Sequence, residues 1–162
     1  MRHFLIISIL LSLSLRLKSQ DNDVAKNVIY GEVAGSGIFI SANYERHFYL
    51  NDKLFLAPKI GVGWILVGSS LPHAITANYG GNHKLEFGAG GTYVSGTFFD
   101  DFDGYLPHAI LGYRYQKSEV FLFRFTLSPF IYEDDVYNNV TMKYDNKLRT
   151  FFYAGISFGT SF

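Results

Sequence analysis

Along most of this chain apolar and polar residues alternate with a period of two, the spacing that puts neighbours on opposite faces of a β-strand. Lys53 to Leu66 shows it most plainly: Leu54, Leu56, Pro58, Ile60, Val62, Trp64 and Leu66 share one face, and Phe55, Ala57, Lys59, Gly61 and Gly63 the other. His83 to Ser95 sets Leu85, Phe87, Ala89, Gly91 and Tyr93 against Lys84, Glu86, Gly88, Gly90 and Thr92. Leu106 to Gln116 sets Ala109, Leu111, Tyr113 and Tyr115 against Gly112, Arg114 and Gln116, and Val120 to Ile131 sets Phe121, Phe123, Phe125, Leu127 and Ile131 against Arg124, Thr126 and Ser128. Between Arg149 and Phe162 the faces are Phe152, Ala154, Ile156, Phe158, Thr160, Phe162 and Phe151, Tyr153, Gly155, Ser157, Gly159, Ser161. Val28 to Ala34, Ile38 to Tyr49 and Leu71 to Tyr79 are the remaining β-prone stretches, with Ser41, Asn43, Glu45 and His47 on the polar side of the second.

In each strand one face is bulky and apolar while the other mixes glycine, hydroxyls and charges. A half-buried soluble sheet can share part of that signature, but about ten residues of dyad repeat with a wholly apolar outer face is the pattern of a barrel wall in lipid. Breaks at 51–52, 80–82 and 117–118 are short, a Gly68-Ser69-Ser70 break closes another strand, and loops at 96–105 and 132–147 are long. Taken as one strand, Val28 to Tyr49 makes seven in all, bent at a glycine bulge. Divided at Gly35-Ser36-Gly37, where glycine tolerates the positive φ of a tight hairpin, it makes eight and brings both termini to one side, as a barrel of even strand number requires. The expected fold is therefore all-β, an eight-stranded antiparallel up-and-down transmembrane β-barrel. Trp64, Tyr93 and Tyr132 then mark one rim and Tyr49, Tyr79, Tyr113 and Tyr115 the other, as two aromatic girdles.

Ahead of the strands, Arg2 and His3 precede an apolar run from Phe4 to Leu15, too short for a permanent span and followed by Arg16 and Lys18. That is the form of a secretory signal peptide, assigned to residues 1–19, with residues 20–162 as one barrel domain. Aromatic residues make up 18% of the chain and charged residues 17%, which suits a wall that meets hydrocarbon. Fourteen basic and fourteen acidic residues balance, leaving no electrostatic footprint for nucleic acid. Without a cysteine, thiolate chemistry and disulfides are excluded.

An eight-stranded tube has room only for its own side chains or a small ligand. Glu32, Glu45, Lys53, Lys59, Lys84, Glu86, Arg114 and Arg124 all fall on inward positions, so the expectation is a packed polar lumen of paired charges, since a charge away from water needs a partner. Leu-Pro-His-Ala-Ile occurs twice, at Leu71 to Ile75 and Leu106 to Ile110. Phase places His73 outward and His108 inward, which argues against a shared catalytic role. One hydrolase-like set can be assembled, His73 with Ser69 or Ser70 and an acid from 100–103, because a nucleophile needs an adjacent base. Rim packing of the same histidine is the simpler account. Asp100, Asp101 and Asp103, and Glu133, Asp134 and Asp135, could offer oxygen ligands to Ca²⁺ or Mg²⁺, though the spacing departs from an EF-hand and solvated loop charge is the favoured account. No catalytic, cofactor-binding or metal residue is assigned, and no enzymatic activity or cofactor is expected.

The closing strand, ending on Phe162, resembles that of bacterial outer-membrane barrels, whose terminal Phe is read by the barrel-insertion machinery. Gln20, after a candidate cut, resembles the start of many mature Bacteroidota proteins. IFISANYERHF (Ile38 to Phe48), HKLEFGAGGTY (His83 to Tyr93), GYRYQ (Gly112 to Gln116), FRFTLSPF (Phe123 to Phe130) and GISFGTSF (Gly155 to Phe162) together resemble small Bacteroidota outer-membrane β-barrel proteins of unassigned function. That resemblance implies a multi-pass barrel in the cell outer membrane with outer-membrane lipid and lipopolysaccharide as partners, and no site residues. The functional expectation is a structural or surface-interaction role through extracellular loops. A lipid A-modifying enzyme and OmpW-like passage of a small apolar ligand are the alternatives.

Overall fold

The computed structural model describes residues 26–65, 68–96, 103–117, 121–138 and 143–162. The leader assigned to residues 1–19, and Leu66, Asp100, Asp101, Ser118 and Val120, lie outside them. Strands β1 (Asn27–Ala34), β2 (Ile40–Arg46), β3 (Phe48–Asn51), β4 (Leu54–Ile65), β5 (Gly68–Gly80), β6 (His83–Ser95), β7 (Gly104–Lys117), β8 (Phe121–Asn138) and β9 (Lys143–Ser161) follow in chain order. Each pairs antiparallel with its neighbours, and β1 pairs with β9 to close the ring. Since β2 and β3 both lie along β4, separated at His47, they make a single stave. The molecule is a closed eight-stranded antiparallel barrel.

Asn27 and Phe162 exchange backbone hydrogen bonds of 3.1 and 2.9 Å, so the first and last strands meet at one end, with the short β3–β4 and β5–β6 turns. We call this the proximal end and the opposite one distal. At Asn51 the side-chain oxygen accepts from the N–H groups of Lys53 and Leu54 at 3.0 and 2.9 Å, which tightens the proximal β3–β4 turn.

The alternation holds throughout the wall. Ile60, Ile75, Phe87, Leu111, Phe125 and Phe158 point out and are exposed, while Ser41, Asn43, Lys59, Glu86, Arg114, Arg124 and Ser157 point in and are buried. Four expectations need correction. Ser69 and Ser70 belong to β5 and form no turn, because Gly68 to Ser70 pairs with Ile65 to Gly63. Within the 132–147 stretch, 132–138 and 143–147 are strand and not loop: β8 and β9 stay paired from Phe130↔Phe151 out to Asn138↔Lys143. These two strands have 18 and 19 residues against 12 to 14 in β4 to β7, so the distal rim is uneven. Lys53 is exposed in the proximal turn and does not face the lumen. Tyr49 and Tyr132 leave the girdles. Their parity with His47 and Phe130 turns them inward, where Tyr49 packs against Phe55 at 5.2 Å and Tyr132 against Phe151 at 5.8 Å.

The division at Gly35-Ser36-Gly37 is present, but the turn does something the glycines alone do not indicate. A 3-10 turn, Gly35–Gly37, folds into the barrel and is buried. Ala34 on one flank has φ 61° and ψ −146°, and Ile38 on the other φ 72° and ψ −58°. Such conformations for residues with a Cβ cost on the order of 1–3 kcal/mol each and persist only where the surroundings hold them.

Candidate functional site

The lumen is layered. At the proximal end Val28, Tyr30 and Leu122 form an apolar floor, beside which His47 lies 4.2 Å from the Phe55 ring. At the distal end Val94, Leu106 and Phe130 form a cap, with Ile38, Ile65, Tyr132, Phe151 and Tyr153 packed on it. Phe130 and Phe151 stack with centroids 5.1 Å apart.

Between floor and cap lie the charges. Arg124 on β8 reaches Glu86 on β6 with both arms, Nε donating to Oε2 at 2.8 Å and Nη2 to Oε1, the fork geometry that suits a carboxylate. Arg124 also stands 4.8 Å over the Tyr30 ring. Arg114 on β7 donates to Glu45 on β2 at 2.6 Å and to Asn78 on β5 at 3.2 Å, and His47 Nε2 donates to the same Glu45 oxygen at 2.8 Å. These pairs tie non-adjacent staves across the tube. Arg124, Glu86, Arg114 and Glu45 are all fully buried. Removing one member of such a pair is far costlier than the pair is stabilising, because the survivor stays charged without water or partner.

Nearer the distal end, Glu32 and Lys59 hold the inward turn. Glu32 Oε2 accepts from Ser36 Oγ at 2.8 Å and Gly37 N at 3.2 Å, and Lys59 Nζ donates to Ser36 Oγ at 3.0 Å. Thr92 Oγ1 donates to the Ser36 carbonyl at 2.6 Å, and Ser70 Oγ to the Gly37 carbonyl at 2.9 Å. Sequence marks Ser36 as a turn residue, Ser70 as a strand break or hydrolase candidate and Thr92 as an inward position, and none of the three as a tether. The signal available was a lone serine between two glycines, with hydroxyls at inward phase on β5 and β6. Of the inward charges expected, Glu32, Glu45, Lys59, Glu86, Arg114 and Arg124 are buried there, and Lys84 is half-buried, 5.9 Å from the Phe55 ring centroid.

His73 and His108 separate as phase requires. His108 is buried, its Nδ1 3.4 Å from the Leu106 carbonyl, beside Phe130. His73 is on the outer wall, stacked on Tyr105, with Nδ1 donating to the Leu71 carbonyl at 3.3 Å and Nε2 accepting from the Tyr105 hydroxyl at 3.1 Å. Tyr105 lies flat over Gly91, where an added Cβ would come within 2.1 Å of its hydroxyl. The hydrolase-like set is not assembled. Ser70 points into the lumen, opposite to His73, and Ser69 shares the outer face but stands four residues along the strand, roughly 13 Å away at 3.3 Å per residue. Asp103 accepts from the Gly96 N–H at 3.1 Å. Among the described residues no group of three or more His, Asp or Glu converges as metal ligands would. Glu133, Asp134 and Asp135 lie in the extended part of β8.

No family model matches the chain, and no curated protein matches it in sequence. Among solved structures it is similar to the N-terminal β-barrel domain of Pseudomonas aeruginosa OprF, with 17% identity over 88% of this chain and 100% of that one, at a TM-score of 0.51. At that identity the likeness concerns the fold: this chain shares the barrel architecture of an outer-membrane protein domain.

Proposed function

We propose that the protein is an integral protein of the outer membrane, inserted as a sealed barrel, with a structural or surface-contact role carried by its distal end and no enzymatic activity. One observation supports this above all, the complete sorting of side chains across the wall. Ile29, Ile60, Val62, Ile75, Leu85, Phe87, Phe125 and Phe158 are exposed around the circumference while three acids and three bases are buried inside. In water that arrangement would expose a continuous apolar belt, which soluble proteins avoid. In a bilayer the same belt meets hydrocarbon, and β1 pairing with β9 closes the ring so that no strand edge is left open to lipid.

Outer-membrane lipid and lipopolysaccharide are then the partners of the outer face, with Trp64, Tyr93 and Tyr105 at the distal interface and Tyr79 and Tyr113 at the proximal one. Phe162 closes the strand that the insertion machinery would read. Apolar floor, cross-lumen ion pairs and aromatic cap argue for a plugged tube and against a steady pore.

Membrane flotation of cells expressing the full chain tests the address: the protein is expected with outer-membrane markers, resistant to carbonate extraction, and folded more compactly before boiling than after. Recovery as a detergent-free soluble monomer would overturn the reading. Planar-bilayer recording is expected to show no steady open channel. Mass spectrometry of lipid A from cells with and without the protein is expected to give identical spectra, and a new or missing acyl or phosphate group would replace the structural role with a lipid-modifying one.

A further inference from the structure

We propose that the Gly35–Gly37 turn is a displaceable plug, folded into the distal mouth and able to swing out on Ala34 and Ile38 so that the polar side chains beneath are uncovered to the distal side. Three features carry this inference. First, the turn belongs to no ladder. Its own backbone bonds are local, Ile38 N to Gly35 O at 3.2 Å and Phe39 N to Gly37 O at 3.0 Å, and the hairpin below it closes through Ala34 N to Phe39 O at 2.7 Å. Gly35, Ser36 and Gly37 take part in no wall pairing, the β1–β9 register ending at the hinge residue Ala34.

Second, what holds it is a set of side chains reaching from other strands: Thr92 on the Ser36 carbonyl, Ser70 on the Gly37 carbonyl, and Lys59 with Glu32 on the Ser36 hydroxyl. Third, both hinges are strained. Ala34 stands in a region used almost only by glycine, and Ile38 is the centre of a γ-turn, a conformation especially poor for a β-branched residue. A turn meant only to seal needs neither, since Gly at these positions would seal with far less strain. The inward state is thus sprung against its tethers.

Ile38 also packs on the Val94, Leu106 and Phe130 cap, so outward movement would unseat the cap with the turn. Beneath lie Glu32, Lys59 and Ser157, together with His108 Nε2 and Thr126 Oγ1, which have no protein hydrogen-bond partner. Polar groups of both signs would meet water there.

The chain has no cysteine, so Ser36→Cys supplies a unique thiol whose access reports the position of the turn. The Thr92 and Ser70 tethers act on backbone carbonyls and survive that change. Labelling by a charged methanethiosulfonate is measured on the full chain in detergent micelles, which keeps the test independent of cellular address. Adding Ser70→Ala and Thr92→Val is expected to speed labelling by about tenfold, the effect of two lost hydrogen bonds on an opening equilibrium. Adding Ala34→Gly instead is expected to slow it, because relief of strain favours the inward state. Ala57→Cys, buried in the proximal half, reports general loosening and is expected to stay unlabelled in the same Ser70→Ala, Thr92→Val background. Equal rates with and without the tethers, a faster rate with Ala34→Gly, or labelling at Ala57→Cys in parallel with Ser36→Cys would each overturn the plug.

Discussion

The proximal and distal halves of this barrel are held together in different ways. Proximally, the staves end nearly level, Asn51 ties a short turn, and Arg114–Glu45 and Arg124–Glu86 bind opposite walls through fully buried pairs. Distally, the wall is tall at β8 and β9 and low at β1 and β2, whose connection turns inward at the cost of two strained residues and is restrained by hydroxyls and one lysine. The first half resists any single change to its buried charges. The second is balanced between strain and tether.

That contrast can be broken experimentally. The largest effect is expected from Arg124→Ala, which leaves Glu86 buried and charged without its fork; a loss of about 3–5 kcal/mol in unfolding free energy is expected from urea titration in vesicles. The double change Arg124→Met with Glu86→Leu is expected to recover most of it, since an apolar pair of similar volume leaves no orphan charge. A single change that costs no more than Ser70→Ala would erase the distinction between the halves.

A smaller effect sharpens the position of the tall hairpin. Ile75→Arg, midway along β5 on the outer face, is expected to destabilise by roughly 2–4 kcal/mol in a bilayer. Leu148→Arg is expected to be nearly neutral, because Leu148, 73% exposed, lies on the part of β9 that outruns its neighbours. Equal penalties at the two sites would place the hairpin in hydrocarbon. Smallest is Ala34→Gly, expected to raise unfolding stability by about 1 kcal/mol through relief of its φ of 61°. A loss instead would mean that the flank is not strained.

Most of the wall was legible because a strand's two faces are set by parity alone. Parity put Arg114, Arg124, Glu86 and His108 in the lumen and His73 outside it. It also contained the answer for Tyr49 and Tyr132, which share faces with His47 and Phe130; reading them as girdle residues gave weight to chemistry at strand ends over phase. Ser69 and Ser70 looked like a break because Gly-Ser-Ser is turn-like in isolation, yet pairing with Trp64 and Gly63 holds them extended. The polar stretch after Ile131 looked like a loop for the same reason, until cross-strand pairing with β9 is taken into account.

Strand number, the sidedness of the wall and the set of charges sharing the interior all follow from a period of two along the chain and from where it restarts. Folding adds which charges meet, how far β8 and β9 rise, and the inward course of Gly35–Gly37. Those depend on distances between strands remote in the chain: Thr92 and Ser36 are 56 residues apart, and the bond between them exists only once the ring has closed.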